Sequence, residues 1–286
     1  VRRKIILVII FMVLINSYVS AQDCFYIQVG NEFDQIGFVE NNGDMPSRGP
    51  VALAVHNRKI YILDEINYRI NVYSYQGEFL ETVSLPKSFE YFDLHIDNQG
   101  NIMVLTDKGI YKLFISEWRH IYDLPQNTTV PYYFSVDINN HVAISVLSQT
   151  GRIIIGLIKE DGSFIQLPGY RILSNRSGDT AIQTPDDIIQ IYNNGKTSTT
   201  VTINGYMIPF GVSDKSIYCL ESTNNGLKIA KVYLDGKMQS REISFESDLI
   251  YDDTSYIKFF KVDEANKVVY LQGGQKGFQI TIIEFN

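Results

Sequence analysis

Carboxylates are the residues of this chain most suited to chemistry, and they come in adjacent pairs: Asp64-Glu65, Asp186-Asp187 and Asp252-Asp253. Hard oxygen donors of this kind suit calcium, while paired carboxylates in loops equally suit a solvated rim. Histidine, the commonest transition-metal ligand, occurs only four times, at His56, His95, His120 and His141. No HExxH, GxSxG, GxGxxG or EF-hand pattern is present, so the local signatures of zinc hydrolysis, serine catalysis, dinucleotide binding and calcium loops are missing. Any site must therefore be assembled from residues far apart in the chain.

The elements available to do this are strands. The chain has 19 Tyr and 16 Phe and is rich in Ile, and aromatic and β-branched residues broken by Gly, Asn and Asp are the composition of strands and turns. A unit of about forty residues recurs. It begins "VALAVHNRKIYILDEINYRINVYSYQGEF" at Val51, "FDLHIDNQGNIMVLTDKGIYKLF" at Phe92, "YFSVDINNHVAISVL" at Tyr133, "PFGVSDKSIYCLE" at Pro209 and "IKFFKVDEANKVVYL" at Ile257. Arg171 to Ile203 supplies an irregular copy. In each, a short strand and a polar turn lead to a nearly all-apolar second strand ("IYIL", "IMVL", "AISVL", "IYCL", "VVYL"), then a loop and further strands. Gly77, Gly162 and Gly236 fall at the last hairpin, where a positive φ is needed.

A second strand that is apolar throughout must be covered on both faces. Sheets stacked around an axis provide that cover, and a four-stranded period near 40 residues is the signature of a β-propeller; a β-sandwich is the competing arrangement. The spacing predicts blades at approximately 50–87, 91–126, 132–169, 170–205, 207–246 and 256–286. The last lacks an outer strand, and "CFYIQVG", Cys24 to Gly30, is an orphan strand able to supply it. The expectation is an all-β, six-bladed β-propeller, its last blade closed by the N-terminal strand, residues 24–30, which removes an exposed edge.

The first unit resembles an NHL repeat. The likeness rests on Pro50, Ile60, Tyr61, Asp64, Asn67, Arg69, Ile70, Val72, Tyr73, Gly77 and Phe79, the family's Pro-led strand, "IYVAD"-like strand, "N-x-R-I-x-V-F" and "G-x-F" hairpin. Other units, such as "TDKGIYKLF", lack the Asn-x-Arg. The resemblance implies a six-bladed propeller, an architecture that serves binding modules and enzymes alike. Lactonase-type members would hold calcium axially with Glu, Asn and Asp from several blades, and amidating-type lyases would use His-bound metal.

Arg2, Arg3 and Lys4 precede the apolar run Ile5 to Ile15, and Val19-Ser20-Ala21 follows a polar stretch. That is the layout of a secretory signal over residues 1–21, and the apolar run is shorter than the roughly 20 residues a membrane span needs. Residues 22–286 then form one exported propeller domain, periplasmic or extracellular. Its net charge of −7 becomes about −10 without those three cations, which disfavours nucleic acid as a partner. Cys24 and Cys219 are open to pairing in an oxidising compartment.

Links between blades and second-to-third-strand loops open on one propeller face, and loops on a rigid scaffold concentrate binding residues. The candidates on that face are Arg48, Asp64, Glu65, Asn67, Tyr91, Tyr132, Asp186, Asp187, Glu221, Tyr251, Asp252 and Asp253. An aromatic and acidic mouth would suit a cationic peptide, a protein partner or a metal. The leading expectation is a monomeric, non-enzymatic module binding a protein or peptide without a cofactor. The alternative is an exported metal-dependent hydrolase or lyase of lactonase type, with calcium in the channel.

Overall fold

The computed structural model describes residues 23–40, 47–137, 141–169, 171–174, 179–184, 188–193, 196–203, 207–213, 215–223, 226–244 and 255–285. The expected secretory segment lies outside them. Six antiparallel four-stranded sheets form the blades of a β-propeller. After β1 (Asp23–Ile27), blade 1 comprises β2 (Pro50–His56), β3 (Lys59–Asp64), β4 (Arg69–Ser74) and β5 (Phe79–Ser84). Blade 2 follows with β6 (Tyr91–Ile96), β7 (Ile102–Thr106), β8 (Gly109–Phe114) and β9 (Glu117–Tyr122). Blade 3 is β10 (Thr128–Val136), β11 (Val142–Ser148), β12 (Ile153–Ile158) and β13 (Phe164–Leu167). Blade 4 is β14 (Arg171–Ser174), β15 (Asp179–Gln183), β16 (Ile188–Asn193) and β17 (Lys196–Thr202). Blade 5 is β18 (Met207–Ser213), β19 (Ser216–Thr223), β20 (Gly226–Tyr233) and β21 (Met238–Ile243). A 3-10 turn, Ser255–Phe259, leads into β22 (Phe260–Val262), β23 (Val268–Gly274) and β24 (Gly277–Ile283) of blade 6.

The two chain ends close the ring as the orphan strand predicts. β1 pairs with β24, Cys24 opposite Thr281 and Tyr26 opposite Gln279. The edge of β24, with its buried Phe278, Ile280 and Ile282, is thereby paired and not left open. Cys24 is exposed and Cys219 is buried, and both are free thiols. Burial pushes the Cys219 thiol up to about 12, so it packs as a small apolar residue.

Burial peaks at the second strand of the blades and falls toward the outermost one. β3, β7 and the first part of β19 are buried on both faces, which is why "IYIL", "IMVL" and "IYCL" carry no alternation. The outermost strands β5, β9 and β13 have mixed or open faces. The core is a series of clusters at the joints between blades: Leu63, Ile70 and Leu94 join blades 1 and 2, and Leu105, Phe134 and Ile144 join blades 2 and 3. Tyr218, Phe260, Tyr270 and Ile62 join blades 5, 6 and 1. Trp118 sits at such a joint, its indole N–H donating to the Ser84 carbonyl of blade 1 at 2.9 Å.

Turns repeat their chemistry as well. Asp97 Oδ1 accepts the Gln99 and Asn101 amides, and Asp263 Oδ1 accepts those of Ala265 and Lys267. These side chains mimic a backbone turn between the first and second strands. Gly77, Gly162 and Gly236 have φ of 86°, 81° and 86°, the left-handed conformation that an L side chain resists. Among the described residues, no helix is long and apolar enough to cross a membrane.

Candidate functional site

The first strands of the blades stand around the axis, packed in the order β2, β6, β10, β14, β18, β22 and back to β2. They enclose a channel of about 1030 Å³. Phe92, Tyr132 and Tyr133 contribute aromatic residues to the lining on blades 2 and 3, and Arg171, Lys258 and Lys261 bring cations from blades 4 and 6. Toward the turns between first and second strands the lining includes Lys215, Asp263 and Glu264.

The carboxylates in this lining have partners inside the protein. Asp93, fully buried, accepts the Leu94 amide on Oδ1 and the Phe134 amide on Oδ2. Lys261 lies 3.8 Å from the same carboxylate, linking blade 6 to blade 2 past the first strand of blade 1. Asp263 also accepts the Tyr75 hydroxyl at 2.8 Å, and Glu264 accepts the Asn57 amide at 2.9 Å. His56 Nδ1 lies 3.3 Å from that Glu264 carboxylate. These contacts leave the described lining aromatic with more cations than free carboxylates; Asp186, Asp187, Asp252 and Asp253, which the expected acidic mouth includes, lie outside the described residues.

At one ladder position blades 3 and 4 carry polar residues on both strands, whereas blade 2 has Asp93 opposite Leu105. Tyr133 stands opposite Ser145 and Arg171 opposite Gln183. The corresponding pairs in blades 1 and 5 are Ala52 with Leu63 and Ile208 with Leu220. Arg171 Nη1 donates to the Pro209 carbonyl at 3.4 Å, and its guanidinium lies 5.7 Å from the centre of the Tyr133 ring. The Tyr133 hydroxyl accepts the Ile172 amide at 2.7 Å. Burial raises the pKa of that hydroxyl against the pull of Arg171.

The candidates read from the sequence separate into groups. Tyr132 lines the channel. Arg48 and Glu65 pair at 3.1 Å, with Arg48 exposed and Glu65 partly buried; burial raises the Glu65 carboxyl above its ordinary value against the Arg48 charge. Asp64 is fully buried and accepts from Asn67, Arg69 and the Gly37 amide. Asn67 donates onward to the Gly30 carbonyl. The Tyr91 hydroxyl donates to the Pro86 carbonyl at 2.6 Å, and Glu221 pairs with Lys228 across β19 and β20. Asp186, Asp187, Tyr251, Asp252 and Asp253 lie outside the described residues. His95 is in β6 and lines the channel, whereas His120 pairs with Asp123 on an outer strand.

Calcium fits the described lining poorly. Its carboxylate oxygens already accept amide and hydroxyl protons, and no group of three or more His, Cys, Asp or Glu among the described residues is placed to hold a metal. Arg171 and Gln183 lie in strands β14 and β15 and not in the loops from which the sequence candidates come. The signal for them was available: a charged residue heads the first strand of blade 4, where blade 5 has the apolar pair Met207 and Ile208.

No protein-family model and no curated protein sequence matches the chain. Solved structures do. Virginiamycin B lyase from Staphylococcus aureus superposes with a TM-score of 0.54 at 13% identity, over 92% of this chain and 100% of that one. A gluconolactonase from Xanthomonas campestris gives 0.53 at 8% identity over 81% and 85%. A chain of a nidogen/laminin complex gives 0.53 at 13% identity over 78% and 94%. At such identities what is shared is the fold, a six-bladed β-propeller common to lyase, lactonase-like and protein-binding neighbours.

Proposed function

We propose that this protein is an exported, NHL-like propeller that binds a peptide or protein segment in its central channel. The observation that carries this reading is the channel itself: about 1030 Å³, lined by aromatic rings and by the cations Arg171, Lys258 and Lys261. Cavities of this size with large apolar walls and few polar groups are binding sites by default. Aromatic anchors in such pockets carry most of the binding energy. The cationic lining favours acidic segments carrying an aromatic or aliphatic anchor.

The test is direct binding of synthetic octapeptides, graded in acidic and aromatic content, to the full chain and to its Tyr132→Ala and Phe92→Ala variants. Acidic-aromatic peptides are expected to bind the native chain best and each variant roughly tenfold more weakly. Equal binding by native and variant chains would remove the channel from the reading. Turnover of lactone or ester substrates that depends on added calcium would replace it with the hydrolase alternative. Export is checked by fractionating a bacterial host that expresses the full chain and sequencing the N-terminus of the recovered protein, with cleavage expected after Ala21.

A further inference from the structure

Resting on the channel reading above, we infer that Arg171 and Gln183 form a subsite for a carboxylate whose neighbouring atom carries an N–H or O–H donor. Arg171 heads β14 and Gln183 ends β15, and the two are direct partners across the ladder. Both line the channel, with 9% and 3% of their surface exposed. Each is tethered at one end to blade 5, Arg171 Nη1 on the Pro209 carbonyl and Gln183 Nε2 on the Met207 carbonyl, both at 3.4 Å. At the other end, Arg171 Nε and Gln183 Oε1 are buried and have no hydrogen-bond partner among the described residues.

That arrangement is costly. A buried guanidinium without a carboxylate and a buried amide oxygen without a donor each oppose folding. Blade construction does not require it, because blades 1 and 5 fill the same ladder position with Ala52–Leu63 and Ile208–Leu220. The two open atoms are complementary in kind, one a charged donor and the other a neutral acceptor. A bare carboxylate would satisfy only Arg171, and a neutral amide would leave its charge unmatched. A 2-acylamino or 2-hydroxy carboxylate presents both groups side by side, with one carboxylate oxygen for Arg171 Nε and the adjacent N–H or O–H for Gln183 Oε1. The Tyr133 ring beneath the guanidinium holds it in place. Two sources carry this chemistry: the terminal residue of a peptide chain and a free small acid.

Calorimetric titration of the full chain distinguishes them. The probes are N-acetylphenylalanine, its primary amide, 3-phenyllactate, and an acidic pentapeptide ending in Phe as free acid or amide. The free acids are expected to bind roughly 10- to 100-fold more tightly than the corresponding amides, the range for a hydrogen bond to a charged group. Arg171→Gln should abolish that preference, Arg171→Lys should restore part of it, and Gln183→Leu should weaken the acids several-fold while preserving it. Near-UV circular dichroism confirms that each variant is folded. Acid and amide binding alike to the native chain, Arg171→Gln keeping the preference, or saturation by none of the probes would overturn the subsite. Pentapeptides that bind with no preference for the acid overturn the subsite and leave the channel reading standing. Small acids that bind while neither pentapeptide does support the subsite and overturn peptide binding.

Discussion

Arg69 and Arg171 are both buried, but blade 1 surrounds its arginine with acceptors and blade 4 does not. Arg69 Nε lies 3.3 Å from the Asp64 carboxylate, and its terminal nitrogens donate to the carbonyls of Asn31, Glu32 and Gln35 at 3.2, 2.7 and 2.7 Å. Asn71 and Tyr73 add bonds to the Gln35 and Asp34 carbonyls. Together these bonds hold the segment that follows β1 against blade 1, so the Asn-x-Arg element serves ring closure. Arg171 has one carbonyl, a ring face and no carboxylate within 4 Å among the described residues. A saturated buried charge belongs to the scaffold, whereas an unsaturated one facing a cavity is stability given up for a ligand.

The comparison breaks most sharply at Arg69. Arg69→Leu leaves Asp64 buried without its cation and three backbone carbonyls each short of a donor, and it is expected to cost about 3–5 kcal/mol. Urea unfolding measures this, and limited proteolysis should show faster cleavage within residues 30–37. An unchanged midpoint would show that the network does not hold the ring closed. Arg171→Met removes a charge with no carboxylate partner, so the ligand-free protein should lose nothing and gain up to about 1 kcal/mol. A loss approaching that of Arg69→Leu would mean that the Pro209 carbonyl and the Tyr133 ring are the reason Arg171 is there.

Asp97 gives the comparison a pH axis at smaller amplitude. Burial would raise its carboxyl, but the Lys112 ammonium at 2.8 Å and the bonds from Asn101 hold it below the ordinary carboxylate range. Because the folded value is the lower one, this stabilisation is complete above the unfolded value near 4 and is lost as pH falls through the folded value. Asp97→Asn should therefore be less stable at neutral pH, and its gap from the native chain should narrow in acid. A constant gap in melting temperature between pH 7 and pH 3 would contradict the assignment.

The fold was largely legible before the structure. "IYIL" and "IMVL" announce two-sided burial, Gly77 marks a positive-φ hairpin, and "CFYIQVG" is a strand with no local partner. Each of these is a local consequence of residue type. The Asp64-to-Arg69 stretch was legible as a motif but not in its role, because the carbonyls it engages lie 34 to 38 positions earlier in the chain. The subsite was hidden for a similar reason. Arg171 and Gln183 are twelve positions apart, and nothing in either strand shows that the ladder sets them opposite each other.

By itself the sequence determined the number of blades, the order of their strands and the means of closure. All three follow from hydrophobic period, turn residues and repeat length, which act over a few residues at a time. Only the tertiary structure decided which polar side chains face the axis and which are spent within the scaffold. That choice depends on strand register, where a slip of one residue reverses the face of every side chain. It depends equally on how six sheets pack against one another, which sets Arg69 among carbonyl oxygens and leaves Arg171 at the wall of a cavity.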